Sequence, residues 1–165
     1  MMHKINILQR KILSGQDLDR WLAIARFKNR KIVFTNGCFD VLHRGHVEYL
    51  ASASGLGDRL VVGINTDESV RKLKGASRPY LDEGARSLIL ASLSFVSAIV
   101  LFAEDTPYNL IKQVQPDVLV KGGDYKPEEI VGYDLVMGRG GKVLTIDLTT
   151  GYSSTGVIGK ITGKP

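Results

Sequence analysis

Lys31-Ile-Val-Phe-Thr-Asn-Gly-Cys-Phe-Asp-Val-Leu-His-Arg-Gly-His46 is the stretch on which the fold turns. It opens with a short β-branched and aromatic run, Lys31 to Thr35, the composition of a buried strand, and ends that run at the turn pair Asn36-Gly37. From about Arg44 the spacing changes. Val47, Leu50 and Ala51 fall at helical intervals and the pattern stops at Gly55 or Gly57. A strand leading through a glycine-bearing loop into a helix is the first half of a βαβ unit.

The same alternation repeats on either side. Arg59 to Ile64 reads as a second strand, Ala98 to Phe102 as a third, Asp117 to Lys121 as a fourth and Lys142 to Ile146 as a fifth. Between them, 65 to 78 reads as a polar loop and Leu81 to Phe95 as a helix. Thr106 is expected to cap another helix, with Pro107 at its first position. Gly138-Arg-Gly-Gly-Lys142 reads as a helix-ending turn, and Ser153 or Ser154 caps a last helix toward Ile161. Upstream, Ser14-Gly-Gln-Asp17 has the form of a capping box for a helix ending near Phe27. Strands that are apolar on both faces and alternate with helices predict a parallel sheet covered on both sides. The expected fold is therefore α/β, a single Rossmann-like doubly wound domain over 31 to 165 with a five-stranded parallel sheet. Residues 1 to 30 form a helical extension of it.

Composition agrees with one soluble domain: 165 residues, 44% hydrophobic and 24% charged, argue against disorder, collagen and a disulfide scaffold. Ser87 to Ala103 is the longest mainly apolar stretch, but four serines break it and it is too short to span a bilayer. Cys38 is the only cysteine, which points to a reducing compartment, and the amino terminus lacks an unbroken apolar core and a cleavage site. The expectation is a cytoplasmic protein with no membrane partner. The net charge of +5 raises nucleic acid as a partner, but the basic residues are scattered and no aromatic ladder is interleaved with them. The expectation is no nucleic acid, and a mild positive field suited to a small anion.

In parallel sheets ligands sit outside the carboxyl ends of the strands, so the loops after each strand deserve inspection. The first carries His43 and His46 on one face of a helix start, separated by Gly45, which lets a ligand approach the backbone. Free N–H groups at that helix end favour phosphate, and imidazoles there can donate hydrogen bonds to charge developing on a phosphoryl group. Cys38, His43 and His46 also amount to three metal donors, but their spacing fits neither the paired-ligand fingers nor His-Glu-x-x-His, and no fourth ligand is evident. No metal ligand is assigned. Two familiar phosphate loops, G-x-x-x-x-G-K-[ST] and a G-x-G-x-x-G after the first strand, are missing from the chain.

These residues resemble a known family. Asn36-Gly-Cys-Phe-Asp-Val-Leu-His-Arg-Gly-His46 is similar to the signature of the cytidylyltransferase-like nucleotidyltransferases, whose hallmark H-x-G-H is matched by His43 to His46. Ser153-Ser154-Thr155 resembles their S-[ST]-T phosphate-binding turn, and Lys74 stands where members place a lysine on the α-phosphate. The resemblance covers about Lys31 to Ile161. Within the family, Arg71-Lys-Leu-Lys-Gly75, Arg78-Pro79, Glu104-Asp-Thr-Pro107 and Val120-Lys-Gly-Gly-Asp-Tyr-Lys-Pro-Glu-Glu129 look like the heptose 1-phosphate adenylyltransferases of bacterial lipopolysaccharide synthesis, in their stand-alone form. Two positions depart from the pattern. Cys38 replaces a valine or threonine and Ser154 a threonine, both by small residues.

The resemblance implies in-line attack of a sugar phosphate on the α-phosphorus of ATP, with His43, His46 and Lys74 as the catalytic set. It implies nucleotide contacts from Asn36, Gly37, Cys38, Phe39, Arg86, Gly122, Gly123, Asp124, Ser153, Ser154 and Thr155. It places Asp40 and Arg78 with the sugar phosphate, although Asp40 in a turn-forming or loop-orienting role reads equally well. Arg86 as an ordinary surface cation is the plain alternative to its nucleotide contact. Mg²⁺ is implied with ATP, held mainly by the phosphates, and relatives often form homodimers; Trp21 and Phe27 of the extension either cover such a partner or pack on their own domain. The competing functions are a cytidylyltransferase acting on glycerol 3-phosphate or a similar small phosphate, and a non-catalytic nucleotide-binding protein.

Overall fold

The computed structural model describes residues 4–163. The five apolar runs form β1 (Ile32–Gly37), β2 (Arg59–Asn65), β3 (Ala98–Phe102), β4 (Val118–Gly122) and β5 (Lys142–Ile146). All pairings are parallel and the order is β3-β2-β1-β4-β5. The chain winds outward from β1 to β3, then returns to lay β4 on the other side of β1. The order therefore reverses between β1 and β4, and a crevice opens beyond their carboxyl ends.

The two sheet faces are covered by different helices because successive side chains of a strand point to opposite sides. Phe34 and Leu119 face α2 (Gly15–Phe27), α6 (Tyr108–Val114) and α7 (Tyr133–Met137), packing with Leu22, Ile111 and Val136. Val33 and Val120 face α3 (Arg44–Ser54) and α5 (Glu83–Ser92), packing with Leu50 and Leu90. Gly63 leaves room for this packing. A Cβ there would lie 2.9 Å from the Phe34 ring and 3.1 Å from Leu110.

The first thirty residues are part of the same core. Leu18, Leu22 and Ala25 of α2 are buried, and the segment after α1 (Lys4–Gln9) pairs with β3 through Ile12 and Ile99. Leu13 N–H donates to Ile99 O at 2.8 Å, and Ile99 N–H donates to Lys11 O at 2.7 Å. Lys11 Nζ closes the seam by donating to the carbonyls of Ala91 and Leu93, which end α5.

Three local expectations are corrected. The polar loop of 65 to 78 is mostly a helix, α4 (Asp67–Lys74), which puts Lys74 at a helix end. Thr66 caps it by accepting from Ser69 N–H at 3.3 Å, Asp67 and Glu68 sit in its first turn, and Glu68–Lys72 forms an i,i+4 pair at 2.9 Å. Only Ser69 and Val70 are buried, so the apolar stripe that announces a helix is nearly absent. Pro107 occupies the cap of α6, which starts at Tyr108, so Thr106 lies outside it. Ser14 stands at the cap of α2, but its side chain makes no capping bond, so the helix rests on its buried face instead. Among the described residues, no helix is long and apolar enough to cross a membrane.

Phe34 sits at the centre of this arrangement with no exposed surface. Replacing it with alanine is expected to destabilise the protein by about 3–5 kcal/mol, read as a shifted denaturant midpoint with unchanged slope.

Candidate active site

Thr35 anchors the first loop from below. Its hydroxyl donates to Tyr49 Oη at 2.6 Å, and Tyr49 passes its own proton on to Val120 O at 3.3 Å. This chain joins β1, α3 and β4 under the loop, and burial pushes the Tyr49 phenol up to about 12. Beyond it, Phe39 adopts a left-handed φ of 47°, and its ring lies 3.0 Å from where a Gly37 Cβ would be. Glycine is required at 37 because the next turn folds back over it.

His43 is the N-cap of α3, and its ring stacks on that of His46 with centroids 3.8 Å apart. Phe39 packs edge-on against His46 at 5.2 Å. Gly45 makes the stack possible, since a Cβ there would meet the His43 ring at 3.2 Å and Tyr152 at 3.1 Å. The Nδ1 atoms of both histidines are buried without a hydrogen-bond partner. Two orphaned polar atoms on adjacent rings are unfavourable unless a ligand completes them. Desolvation, then the neighbouring charges of His43 and Lys74, push His46 down to about 4, and burial lowers His43 as well. Both rings are neutral at pH 7 before a polyanion arrives.

The start of α8 (Ser154–Thr162) is brought to the same place. Ser153 caps it by accepting from Gly156 N–H at 3.0 Å, and Ser154 Oγ donates to Val41 O at 3.4 Å. The loop before it is fastened to α3: Arg44 Nε donates to Glu48 at 2.6 Å, and Thr149 Oγ1 donates to the other Glu48 oxygen at 2.5 Å. The Tyr152 ring lies under the Arg44 guanidinium, 5.4 Å from centroid to Cζ. Neither α3 nor α8 has an acidic residue in its first turn. Two helix amino ends, two histidines, the Ser153–Thr155 turn and the Lys74 charge thus adjoin one space, an arrangement suited to a chain of phosphates.

Other predicted residues are placed differently. Arg86 is neither a surface cation nor a free nucleotide contact. It is buried, and its Nη1 donates to Cys38 O at 2.7 Å, Nη2 to Asp67 Oδ1 at 2.7 Å and Nε to Leu81 O at 3.0 Å. Its donors are turned onto the protein, so it is a positioning residue beneath the loop. Asp40 is buried too, accepting from the Arg78 guanidinium and from the backbone N–H groups of Tyr80 at 2.6 Å and Leu81 at 3.2 Å. That is the loop-orienting role, and it leaves Arg78, stacked 4.8 Å over the Tyr80 ring, as the less buried half of the pair.

Asn36 is separated from the histidines. Its neighbour Thr35 bonds into the α3 face, so the Asn36 side chain points to the other, where Lys121 Nζ donates to its Oδ1 at 3.5 Å. Only its backbone belongs to the loop. Cys38 Sγ lies 3.7 Å from Asn65 Oδ1, and among the described residues no three His, Cys, Asp or Glu side chains converge as a metal cluster. Gly122, Gly123 and Asp124 end β4. A Cβ at Gly122 would strike Leu148 at 2.7 Å, Gly123 has a φ of 107°, and Asp124 and Thr155 are exposed. Tyr49, Asp67, Glu48 and Tyr152 were not singled out by sequence. Only Lys121, a charge ending an apolar strand, carried a visible signal.

Comparison with known proteins agrees with this geometry. The cytidylyltransferase-like pattern matches residues 34–160. The chain belongs to the cytidylyltransferase-like family. Within it, the chain is 52% identical over 151 residues to the bifunctional protein HldE of Nitrobacter hamburgensis, covering 92% of this chain and 31% of that protein. It is 54% identical over 150 residues to the protein of that name from Actinobacillus pleuropneumoniae, covering 91% and 32%. The chain thus spans about a third of the length of these curated relatives. Among solved structures, the lipopolysaccharide core biosynthesis protein of Thermoplasma volcanium superposes with a TM-score of 0.60 at 29% identity, covering 75% of this chain and 99% of that one. Pantoate-beta-alanine ligase of Francisella tularensis shares the fold alone, with a TM-score of 0.56 at 17% identity over 89% of this chain and 75% of that one.

Two predictions follow from the site. Arg86→Met leaves the Cys38 carbonyl and Asp67 without their donor and is expected to destabilise the protein by about 2 kcal/mol or more in chemical denaturation. Because His46 is near 4 folded against 6.5 as its ordinary value, the unfolded chain binds the extra proton between those limits. Its contribution is fully present above pH 6.5 and is lost as the pH falls toward 4. Unfolding free energies measured across that window should slope less in His46→Gln, and an unchanged slope would contradict the assignment.

Proposed function

We propose that this chain transfers AMP from ATP to a heptose 1-phosphate, giving an ADP-heptose and pyrophosphate. The observation that carries the reading is the stacked pair His43 and His46, each with a buried, unpartnered nitrogen, at the amino end of α3. The choice of acceptor is supported by the segments 71–79, 104–107 and 120–129, and by relatives named HldE at 52% and 54% identity across nine-tenths of this chain.

In this reading a sugar-phosphate oxygen attacks the α-phosphorus of ATP in line. The new P–O bond forms as the bond to the β-phosphate breaks, and pyrophosphate departs with that electron pair. No covalent enzyme intermediate is needed, so positioning and charge neutralisation carry the rate. His43 and His46 donate hydrogen bonds to the transferring phosphoryl and the departing oxygens. Lys74 neutralises charge growing at the α-phosphate, while the Ser153–Thr155 turn and the N–H groups opening α8 hold the β- and γ-phosphates. Phosphate binding also raises the affinity of the histidines for protons, since it places negative charge beside rings that are neutral beforehand. Arg78, held by Asp40, is turned toward the acceptor. Magnesium bound together with ATP would offset the charge of the triphosphate.

The test is pyrophosphate release by purified protein with Mg²⁺, ATP and heptose 1-phosphate, with CTP and GTP run in parallel. Heptose-dependent release with ATP is expected. Release with CTP and glycerol 3-phosphate would move the protein to a sister activity, and nucleotide binding without release under any pairing would mark a non-catalytic binder. His46→Ala is expected to lower kcat by about a hundredfold or more.

A further inference from the structure

On the sheet face opposite the histidines, a crevice of about 120 Å³ opens at the point where the strand order reverses. Asn36 from the end of β1 and Lys121 from the end of β4 line it. Tyr125, Glu129, Pro107 and Ile130 complete the lining. Ile130 packs in the cluster of Phe34 and Leu110, whereas Tyr49, on the helix that begins with the two histidines, packs in the other. The backbone of β1 and its glycine at 37 therefore lie between this crevice and the phosphate space.

Lys121 is the unexplained group in it. The side chain is half-buried, burial lowers its pKa, and among the described residues it forms no ion pair. Its one hydrogen bond is the 3.5 Å contact to Asn36. An ammonium has three donors, and one withdrawn from water with a single long acceptor is left short of partners. Apart from Asn36, the Lys121 side chain hydrogen-bonds no other part of the fold. Glu129 lines the crevice without pairing to it, and Tyr125, also in the lining, is 51% exposed. Donors in the lining, carboxylate and amide acceptors beside them and an aromatic face are what a polyhydroxylated ring needs for recognition.

We propose that this crevice receives the sugar ring of the acceptor, and that Lys121 and Asn36 read its hydroxyl groups and so determine which phosphorylated acceptor is used. The inference rests on the transfer reaction proposed above. In-line displacement supports the placement: the acceptor must approach the α-phosphorus from the side opposite the leaving pyrophosphate, and α3 and α8 hold the phosphates on one face only. Both spaces lie at the carboxyl ends of β1 and β4, so the acceptor's phosphate reaches across over the strand ends.

The experiment is steady-state kinetics with ATP and heptose 1-phosphate for the wild type, Lys121→Met and Tyr125→Ala. Titration of heptose 1-phosphate into each protein with a non-hydrolysable ATP analogue provides a readout independent of turnover. Lys121→Met is expected to raise KM for the sugar phosphate about tenfold or more and to weaken its binding likewise, with KM for ATP within about twofold of wild type. Tyr125→Ala moves the same constant in the same direction, and because this side chain is exposed it keeps the test intact should Lys121→Met misfold. An active wild type whose sugar KM is indifferent to the substitutions, or variants in which KM for ATP rises instead, overturn this inference alone. A wild type inert toward heptose 1-phosphate overturns the transfer reaction and this inference with it.

Discussion

A guanidinium buried in a protein has given up water on every side and holds its place only if its N–H groups meet acceptors of fixed position. Arg86 meets three, and they come from distant parts of the chain: the carbonyl of Cys38 after β1, the carboxylate of Asp67 at the start of α4, and the carbonyl of Leu81 before α5. Each bond constrains a segment that carries something chemical. The Cys38 loop leads to the two histidines, and α4 ends at Lys74. Asp40 adds a second latch by gathering Arg78 and the backbone of Tyr80 and Leu81. The relative placement of histidines, lysine and Arg78 therefore depends on a core arginine and a core aspartate that need touch no substrate themselves.

Small residues do complementary work on the other side of the loop. Gly37 yields to Phe39, Gly45 to the His43 ring, and Gly122 to Leu148 and Tyr49. Each absence of a Cβ brings two pieces of backbone or ring closer than any other residue allows. The result is a thin partition at the carboxyl ends of β1 and β4, with phosphate-seeking groups on one face and Lys121, Asn36 and Tyr125 on the other.

The fold was legible because its signals are local. Ala98–Phe102 and Lys142–Ile146 are strands at the bounds their composition announces, and α3 starts at Arg44, where the helical spacing begins, and stops at the first of the two glycines that could end it, Gly55. α4 escaped notice since its stability comes from a cap, its dipole and one ion pair rather than from an apolar stripe. The candidate site was legible where residue type and position suffice, as for His43, His46 and the Ser153 turn. It was misread where the direction of a side chain decides. Arg86 has the same letter whether it faces nucleotide or the interior, and Asn36 differs from Thr35 only by the parity of the strand. Asp40 offered two roles, and which one it plays depends on partners some forty residues away.

The pairing of Ile12 with Ile99 bears on how the protein behaves at high concentration. A parallel sheet ends in two rows of unused amide and carbonyl groups, and either row is a template for a neighbouring molecule. The segment between α1 and α2 occupies the row on β3, so sheet continuation from that side is blocked. What remains is β5, whose Lys142 is exposed and whose neighbours Leu144 and Thr145 are open to solvent. Shortening the chain to the sheet-forming portion would uncover the β3 row and strip Leu18, Leu22 and Ala25 from the core in one step. The amino-terminal helices are thus an aggregation guard as much as a piece of the interior.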